Sequence, residues 1–383
     1  MKVLFVTRGW PTNNNPMSGN YEAVQAKALA AKGCKVADIS VQPKSIRRLF
    51  RRDSISHTVD DGVDVYTGTR LVFSTRFWKT PGLNRYFSIR AHKKLFRRYV
   101  KDNGLPDIVH AHIITCASPV AFVKDKYHLP FVITEHWTEM NKDNVSLVQK
   151  RHSFIYKKAD VLICVSQALS DVLRRKFHIE SIVINNMLSD LFFQTQKVVR
   201  NDNCFRFIAC GAFRKNGNKG FDLLVDAFAQ AHFPKYVSLD IVGDGADRPF
   251  IESKIAEYGL NDQIHLLGVK SPEEVSEQLC LSDCFVLSSR LETFAIVVIE
   301  AMAKGLPVVA TKCGGPETFL RPEHGLLVEK GDVGQLADAM TYMVKHHSDY
   351  DADGIKKYCH DHFSQDVIAD RIIDVYNKVL NNR

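Results

Sequence analysis

Leu291-Glu292-Thr293-Phe294-Ala295-Ile296-Val297-Val298-Ile299-Glu300-Ala301-Met302-Ala303-Lys304-Gly305-Leu306-Pro307-Val308-Val309-Ala310 reads as loop, helix, stop and strand. Glu292 and Thr293 open the predicted helix. Gly305 followed by Pro307 ends it, because glycine tolerates a left-handed turn and proline cannot continue a helix. Val308 to Ala310 then form a short buried strand. Between Ala295 and Ala303 the only polar residue is Glu300. A helix that is apolar nearly all round is buried, and a carboxylate inside it needs a partner. Glu300 can pair with an Arg or Lys, reach water at the edge of the core, or accept hydrogen bonds from two vicinal hydroxyls such as those of a ribose. Two acids eight residues apart are a weak motif, and the spacing alone does not choose.

Outward from that stretch the same alternation repeats. Short apolar strands are predicted near Val3–Thr7, Val36–Ser40, Ile108–Ala111, Phe131–Thr134, Val161–Val165 and Ile182–Asn185. A second series runs Phe205–Ala209, Ser238–Val242, Ile264–Leu267, Cys284–Leu287, Val308–Thr311 and Leu326–Val328. Strands alternating with helix-length segments argue for α/β architecture with parallel sheets. The polar stretch Ser189–Asn203 reads as a linker. The expected domains are residues 1–188 and 204–364, both doubly wound and Rossmann-like, with a last helix over about 365–383 returning to the first. Such sheets bind ligands at the carboxyl ends of their strands, so the expected site lies in a cleft where the two domains face each other.

At 383 residues the chain is too long for one core. No run of about 18 apolar residues is present, which argues against a membrane-spanning helix. The opening Met1–Arg8 has too short an apolar run for a signal peptide and reads as a strand. Nine cysteines without metal-ligand spacing read as free thiols in a reducing cytoplasm. The net charge of +8 is gathered into clusters. One holds Lys44, Arg47, Arg48, Arg51 and Arg52. The other holds Arg85, Arg90, Lys93, Lys94, Arg97 and Arg98, with Tyr86, Phe87, Ile89, Leu95 and Phe96 between them. Basic heads with interleaved apolar residues suit an anionic membrane surface. A solvated helix face with its apolar side in the core fits equally well. No nucleic-acid motif accompanies the charge.

The loops at strand ends supply the candidate site residues. Arg8 to Asn20, rich in Pro, Asn and Gly, follows the first strand, and Gly19 is a candidate for close backbone approach to a ligand. The strand Phe131–Thr134 stops at Glu135 and His136. Gly211 to Leu224 carries Arg214, Lys219 and Gly220. Gly243-Asp244-Gly245 and Gly268-Val269-Lys270 are further strand exits, and Thr311–Glu317 is a third.

Taken together, Glu292, Phe294, Glu300-Ala301-Met302-Ala303, Gly305, Pro307 and Val308 resemble the E-x7-E signature of family 4 retaining glycosyltransferases of the GT-B fold, which use nucleotide-sugar donors. The resemblance covers most of the C-terminal half and, more loosely, the N-terminal half. It implies that Glu300 holds the donor ribose and Glu292 sits by the donor sugar. The backbone of Phe294, Ala295 and Ile296 would face the diphosphate at a helix N-terminus. Lys219 and Arg214 would neutralise the diphosphate, which is electrostatic catalysis of its departure. His136 would support the donor sugar, with Glu135 orienting it. Gly19 would approach the donor phosphate or the acceptor, Gly243 would line the donor pocket, and the backbone at Val269 would meet the base. The usual pattern has Gly at positions 293 and 295, and places the Arg where Ala212 stands, two residues before Arg214.

The reading is a glycosyltransferase moving sugar from a UDP- or GDP-sugar to a hydroxyl acceptor, a glycan or lipid-linked saccharide in polysaccharide or cell-envelope biosynthesis. It expects no metal and no cofactor beyond the donor. It places the enzyme in the cytoplasm, at the inner face of the membrane if the basic clusters bind there. Its rivals are a nucleotide-sugar epimerase of the same fold and a non-catalytic nucleotide-sugar binder.

Overall fold

The computed structural model describes residues 1–12, 18–45, 55–72, 81–142, 144–194, 200, 202–215 and 217–382. The chain divides into two units, Met1–Met187 with Gln365–Arg383, and Leu188–Ser364.

The first unit runs β1 (Lys2–Thr7), α1 (Asn20–Ala31), β2 (Lys35–Ser45), β3 (Ser56–Asp60), β4 (Val63–Val72), α2 (Pro81–Asn103) and β5 (Ile108–His112). It continues with α3 (Ile114–Val120), α4 (Phe122–Tyr127), β6 (Phe131–Glu135), α5 (Leu147–His152), β7 (Val161–Cys164), α6 (Gln167–Phe177) and β8 (Ile182–Val183). Its sheet has the order β3-β4-β2-β1-β5-β6-β7-β8. Every neighbouring pair is parallel except β3 with β4. The central strands read as unbroken apolar runs because helices cover both faces, and Val3, Leu4, Phe5 and Val6 have no exposed surface.

The second unit contains β9 (Phe205–Cys210), α7 (Phe221–Gln230), β10 (Val237–Val242), α8 (Arg248–Glu257), β11 (Ile264–Gly268) and α9 (Pro272–Cys280). Then come β12 (Cys284–Leu287), α10 (Ile296–Met302), β13 (Val308–Thr311), β14 (Gly325–Val328), α11 (Val333–His346) and α12 (Ala352–Phe363). The sheet is wholly parallel in the order β11-β10-β9-β12-β13-β14. That is the doubly wound arrangement, with its reversal of strand order between β9 and β12. The last helix, α13 (Gln365–Asn381), belongs to the first unit. There Ile368, Ile372 and Tyr376 join Phe5, Leu29 and Ile163 in one core.

Three features depart from the sequence reading, and the burial of α2 fits one of the two readings of its basic cluster. The β3–β4 hairpin was not among the predicted strands. Helix α10 begins at Ile296, so Glu292 and Thr293 lie in the loop before it and do not open it. The described part of the stretch read as a linker is held to the second unit. Arg200 reaches Asp283 and the Leu281 carbonyl, and Lys304 Nζ donates to Gln194 O at 2.8 Å. In α2, Leu95, Phe96 and Tyr99 are buried, while Arg85, Arg90, Lys93, Lys94, Arg97 and Arg98 are exposed. Leu95 and Phe96 of that cluster therefore serve the core, Phe87 and Ile89 are half-buried, and Tyr86 is exposed. In the other basic cluster, Arg47, Arg48, Arg51 and Arg52 lie outside the described residues.

Candidate functional site

The reversal of strand order in the second unit leaves a gap between the β9 and β12 loops, and the predicted residues gather there. Gly220 caps α7 with φ 62°, and an added Cβ would fall 2.1 Å from the Ser288 carbonyl oxygen. Only glycine lets the two loops lie this close. Their contact places Lys219 against the β12 loop, where its Nζ donates to Glu292 Oε1 at 2.7 Å. Ser289 Oγ donates to the same oxygen at 2.8 Å, and the Glu292 N–H donates to the Cys313 carbonyl at 2.9 Å. Arg290 fixes the other side of the loop. It forms a two-pronged pair with Asp222, at 2.8 and 2.6 Å, and donates to the Gly217 carbonyl at 2.6 Å.

Glu300 sits on α10 within the field of Lys219. It keeps some accessible surface, yet the surrounding protein pushes its carboxyl up to about 7, with Lys219 pulling the other way. Of the three structural options for Glu300, no Arg or Lys ion pair with it is found among the described residues. The residue before α10, Ala295, has φ 72°. That is left-handed backbone, which explains why the resemblance expects glycine there. Phe294 does not offer its side chain to a ligand. Its ring is buried against Phe319 and Phe363 at 5.0 and 5.7 Å, leaving only its backbone for contact.

Arg214 is exposed and is not brought into hydrogen-bond contact with Lys219 or Glu292. Arg214, Lys219 and Arg290 do line one open pocket of about 310 Å³. Gly243 donates its N–H to the Gly268 carbonyl at 2.8 Å, tying the β10 and β11 turns together. Val269, just beyond, is 75% exposed.

In the first unit, Gly19 caps α1 with φ 68°. An added Cβ there would fall 1.9 Å from the Gly9 carbonyl oxygen, so the loop's own backbone accounts for this glycine. His136 follows β6. Glu135 is fully buried and accepts the backbone N–H groups of His136 (3.0 Å), Trp137 (2.9 Å) and Ile114 (3.0 Å), and the Tyr156 hydroxyl at 2.7 Å. It therefore shapes the loop and does not touch the His136 ring. That ring lies 3.8 Å, Nε2 to Oε1, from Glu22, a residue the sequence reading missed. Burial lowers the pKa of His136, with Glu22 opposing the shift. His112 packs edge-on to the His136 ring at 5.7 Å, and burial holds it well below its ordinary value. His110 is a core residue. Its ring nitrogens pair with the Tyr376 hydroxyl at 2.6 Å and Thr134 Oγ1 at 2.7 Å, and burial takes its pKa down to about 3.

The structure thus brings Lys219, Glu292 and Glu300 together in one unit and sets His136 and Gly19 in the other. No group of three His, Cys, Asp or Glu side chains among the described residues could hold a metal ion.

Two families match the chain. Residues 21–188 match the one described as Glycosyltransferase Family 4, and residues 192–377 match Glycosyl transferases group 1. An uncharacterised glycosyltransferase of Methanocaldococcus jannaschii is 29% identical over 66% of this chain and 69% of its own length. The putative teichuronic acid biosynthesis glycosyltransferase TuaC of Bacillus subtilis is 25% identical over 89% of this chain and 88% of its own. The Anabaena protein HepE, solved with UDP and glucose, superposes with a TM-score of 0.74 at 19% identity, covering 99% of this chain and 100% of that one. At that identity the likeness speaks for the fold.

Proposed function

Because the chain belongs to the family 4 glycosyltransferases of the GT-B fold, we propose that it moves a sugar from a nucleoside diphosphate to a hydroxyl acceptor with retention at the anomeric carbon. One observation carries the reading: the ammonium of Lys219 and the carboxylate of Glu292 are held 2.7 Å apart at the switch point of a doubly wound sheet. A cation fixed there neutralises charge as it develops on a departing diphosphate. Arg214 would add a second positive charge to the same pocket. Glu300 would accept the two ribose hydroxyls, a role that a carboxylate without an ion-pair partner can fill. Glu292 would sit by the donor sugar, and His136 would support a sugar at the strand-order reversal of the first unit. Backbone at Phe294, Ala295 and Ile296, and at Gly243 and Val269, would line the rest of the donor.

In this scheme the bond from the anomeric carbon to the diphosphate oxygen breaks, and its electron pair stays on that oxygen. The acceptor hydroxyl attacks the same face and gives its proton to the leaving phosphate. The scheme uses no metal, since Lys219 and Arg214 supply the charge. The acceptor would be a glycan or a lipid-linked saccharide of the cell envelope, in keeping with the teichuronic acid relative. The exposed basic face of α2 would draw the enzyme to an anionic membrane from the cytoplasmic side. No described helix is long and apolar enough to cross one.

A panel of nucleotide sugars with alkyl glycosides as acceptors tests this. The expected result is release of one nucleotide and a glycoside with the donor's anomeric configuration by NMR. An inverted product would overturn the retaining mechanism. An isomerised nucleotide sugar without transfer would indicate an epimerase, and binding without turnover a non-catalytic binder.

A further inference from the structure

Glu22 is the third residue of α1, after the capping Gly19. A glutamate at that position has an ordinary structural use, which is to fold back onto the capping residue's backbone N–H. Glu22 does not take it. Its side chain is 1% exposed, and neither carboxylate oxygen makes a hydrogen bond. Burying a carboxylate in this state costs several kcal/mol unless nearby charge offsets it. The helix N-terminus offsets part of the cost. The rest of the compensation is specific. Oε1 lies 3.5 Å from Arg8 Nη2 and 3.8 Å from His136 Nε2.

These two partners differ from Glu22 in one respect. Arg8 is 53% exposed and the His136 side chain 13%, so both reach the surface while Glu22 does not. Arg8 follows β1 and His136 follows β6, two strands apart in the sheet with β5 between them. The strand-order reversal of the first unit, where an open α/β sheet takes its ligand, lies between β1 and β5. A buried carboxyl group thus sits behind two polar groups at the mouth of that crevice. Asp38 is a second buried carboxyl that interacts with Glu22 and has the Thr7 and Ser40 hydroxyls as its own partners, while His112 packs against the His136 ring by an edge.

We propose that Glu22 is a positioning residue for sugar transfer, fixing the His136 ring with its proton on Nε2 and holding the Arg8 guanidinium beside it. The proposal rests on the transferase reading above, since it gives His136 a sugar to face. A carboxylate next to Nε2 favours the tautomer protonated there. The order imposed on His136 and Arg8 then matters in the transition state, where a displacement of about 1 Å can cost about 100-fold in rate.

The test uses the full-length chain with Glu22→Gln, which keeps the shape and removes the charge. The readouts are the ring-nitrogen spectrum of 15N-histidine protein, with His136 assigned by its loss in His136→Asn, and steady-state kinetics. The expected result is a His136 ring protonated on Nε2 in the wild type and a mixed tautomer in Glu22→Gln. kcat should fall about tenfold to a hundredfold, with the donor KM and the nucleotide-induced thermal shift unchanged. Glu22→Asp, which retains the charge, should recover part of kcat and of the His136 signal. An unchanged tautomer, or a kcat equal to the wild type's, would overturn the proposal. So would Glu22→Asp behaving as Glu22→Gln in both readouts. If the wild type binds no nucleotide, the transferase reading fails, while the His136 spectrum still decides whether Glu22 orients the ring.

Discussion

Lys219 Nζ and Glu292 Oε1 meet at 2.7 Å, joining the loop after β9 to the loop after β12 across 73 residues of sequence. Both side chains are partly accessible, at 27% and 12%. A charge-assisted hydrogen bond in this partly buried setting is worth about 1–3 kcal/mol to stability. Its position, at the reversal of strand order, points to the site.

Lys219→Ala should therefore separate fold from function. Its unfolding free energy, from urea melts, should fall by no more than about 3 kcal/mol. Its kcat should fall by about 100-fold to 1000-fold, the usual loss when one fixed charge-stabilising group is removed. A large loss of stability with intact turnover would reverse the assignment.

Gly220→Ala tests the closeness of the two loops. The new methyl would meet the Ser288 carbonyl at 2.1 Å in backbone of φ 62°. Left-handed backbone alone costs about 1–2 kcal/mol, and the clash adds to it. The expected destabilisation is at least about 3 kcal/mol by chemical denaturation.

Ala295, with φ 72°, carries a buried methyl in the same kind of backbone. Ala295→Gly relieves about 1–2 kcal/mol of strain but gives up about 0.8 kcal/mol of burial and some chain entropy. The change should fall within about 1 kcal/mol of zero. Ala295→Val puts a β-branched residue where it is a steric outlier, and should cost more than about 2 kcal/mol. Equal stability of the two variants would contradict the backbone assignment.

Glu300 makes stability depend on pH. Its carboxyl is raised to about 7 in the folded protein, against about 4.3 for an unperturbed glutamate. Below pH 4 both states are protonated and nothing is lost. As pH rises from there toward 7, the unfolded chain releases its proton and the folded one does not, so stability falls. Above 7 the loss levels off at about 4 kcal/mol. Glu300→Gln has no such loss. Its stability relative to wild type should climb between pH 4 and pH 8, read from urea melts across that range. A flat difference would place Glu300 in an ordinary solvated setting.

The basic face of α2 predicts salt-sensitive binding to anionic vesicles. Changing Arg90, Lys93, Lys94 and Arg97 to Ser removes about 1 kcal/mol for each charge near the surface. Together that is roughly a thousandfold in partitioning. Unchanged vesicle sedimentation would remove α2 as the membrane contact.

Much of the architecture is legible in the sequence because parallel strands buried on both faces leave dense apolar runs. The strands near Val3, Ile108 and Val308 are of this kind. The β3–β4 hairpin is different. It lies at a sheet edge, and its exposed strand Ser56–Asp60 has no apolar run to notice. A signal was there: Asp61-Gly62, with φ 45° and 80°, is the dipeptide that tight hairpin turns prefer. The start of α10 was misplaced because Glu292 and Thr293 resemble helix-opening residues, whereas the left-handed Ala295 breaks the chain just before Ile296. Lys219, Glu292 and Glu300 were singled out by the family resemblance of the loops that carry them, since their spacing alone did not choose. Glu22 and Arg8 were not. Glu22 and His136 are 114 positions apart, and only the folded α1 and β6 bring them to 3.8 Å.

The central claim is that the second unit holds a nucleoside diphosphate through Lys219 and Glu300. The most direct measurement is thermal stability with millimolar UDP, GDP and ADP, on the wild type and on Glu300→Ala. A ligand at about a hundred times its dissociation constant adds about 2.7 kcal/mol, a rise of several degrees for a protein this size. The account predicts that rise with one nucleotide and its loss in Glu300→Ala. No rise with any of the three, or an equal rise in Glu300→Ala, would contradict it.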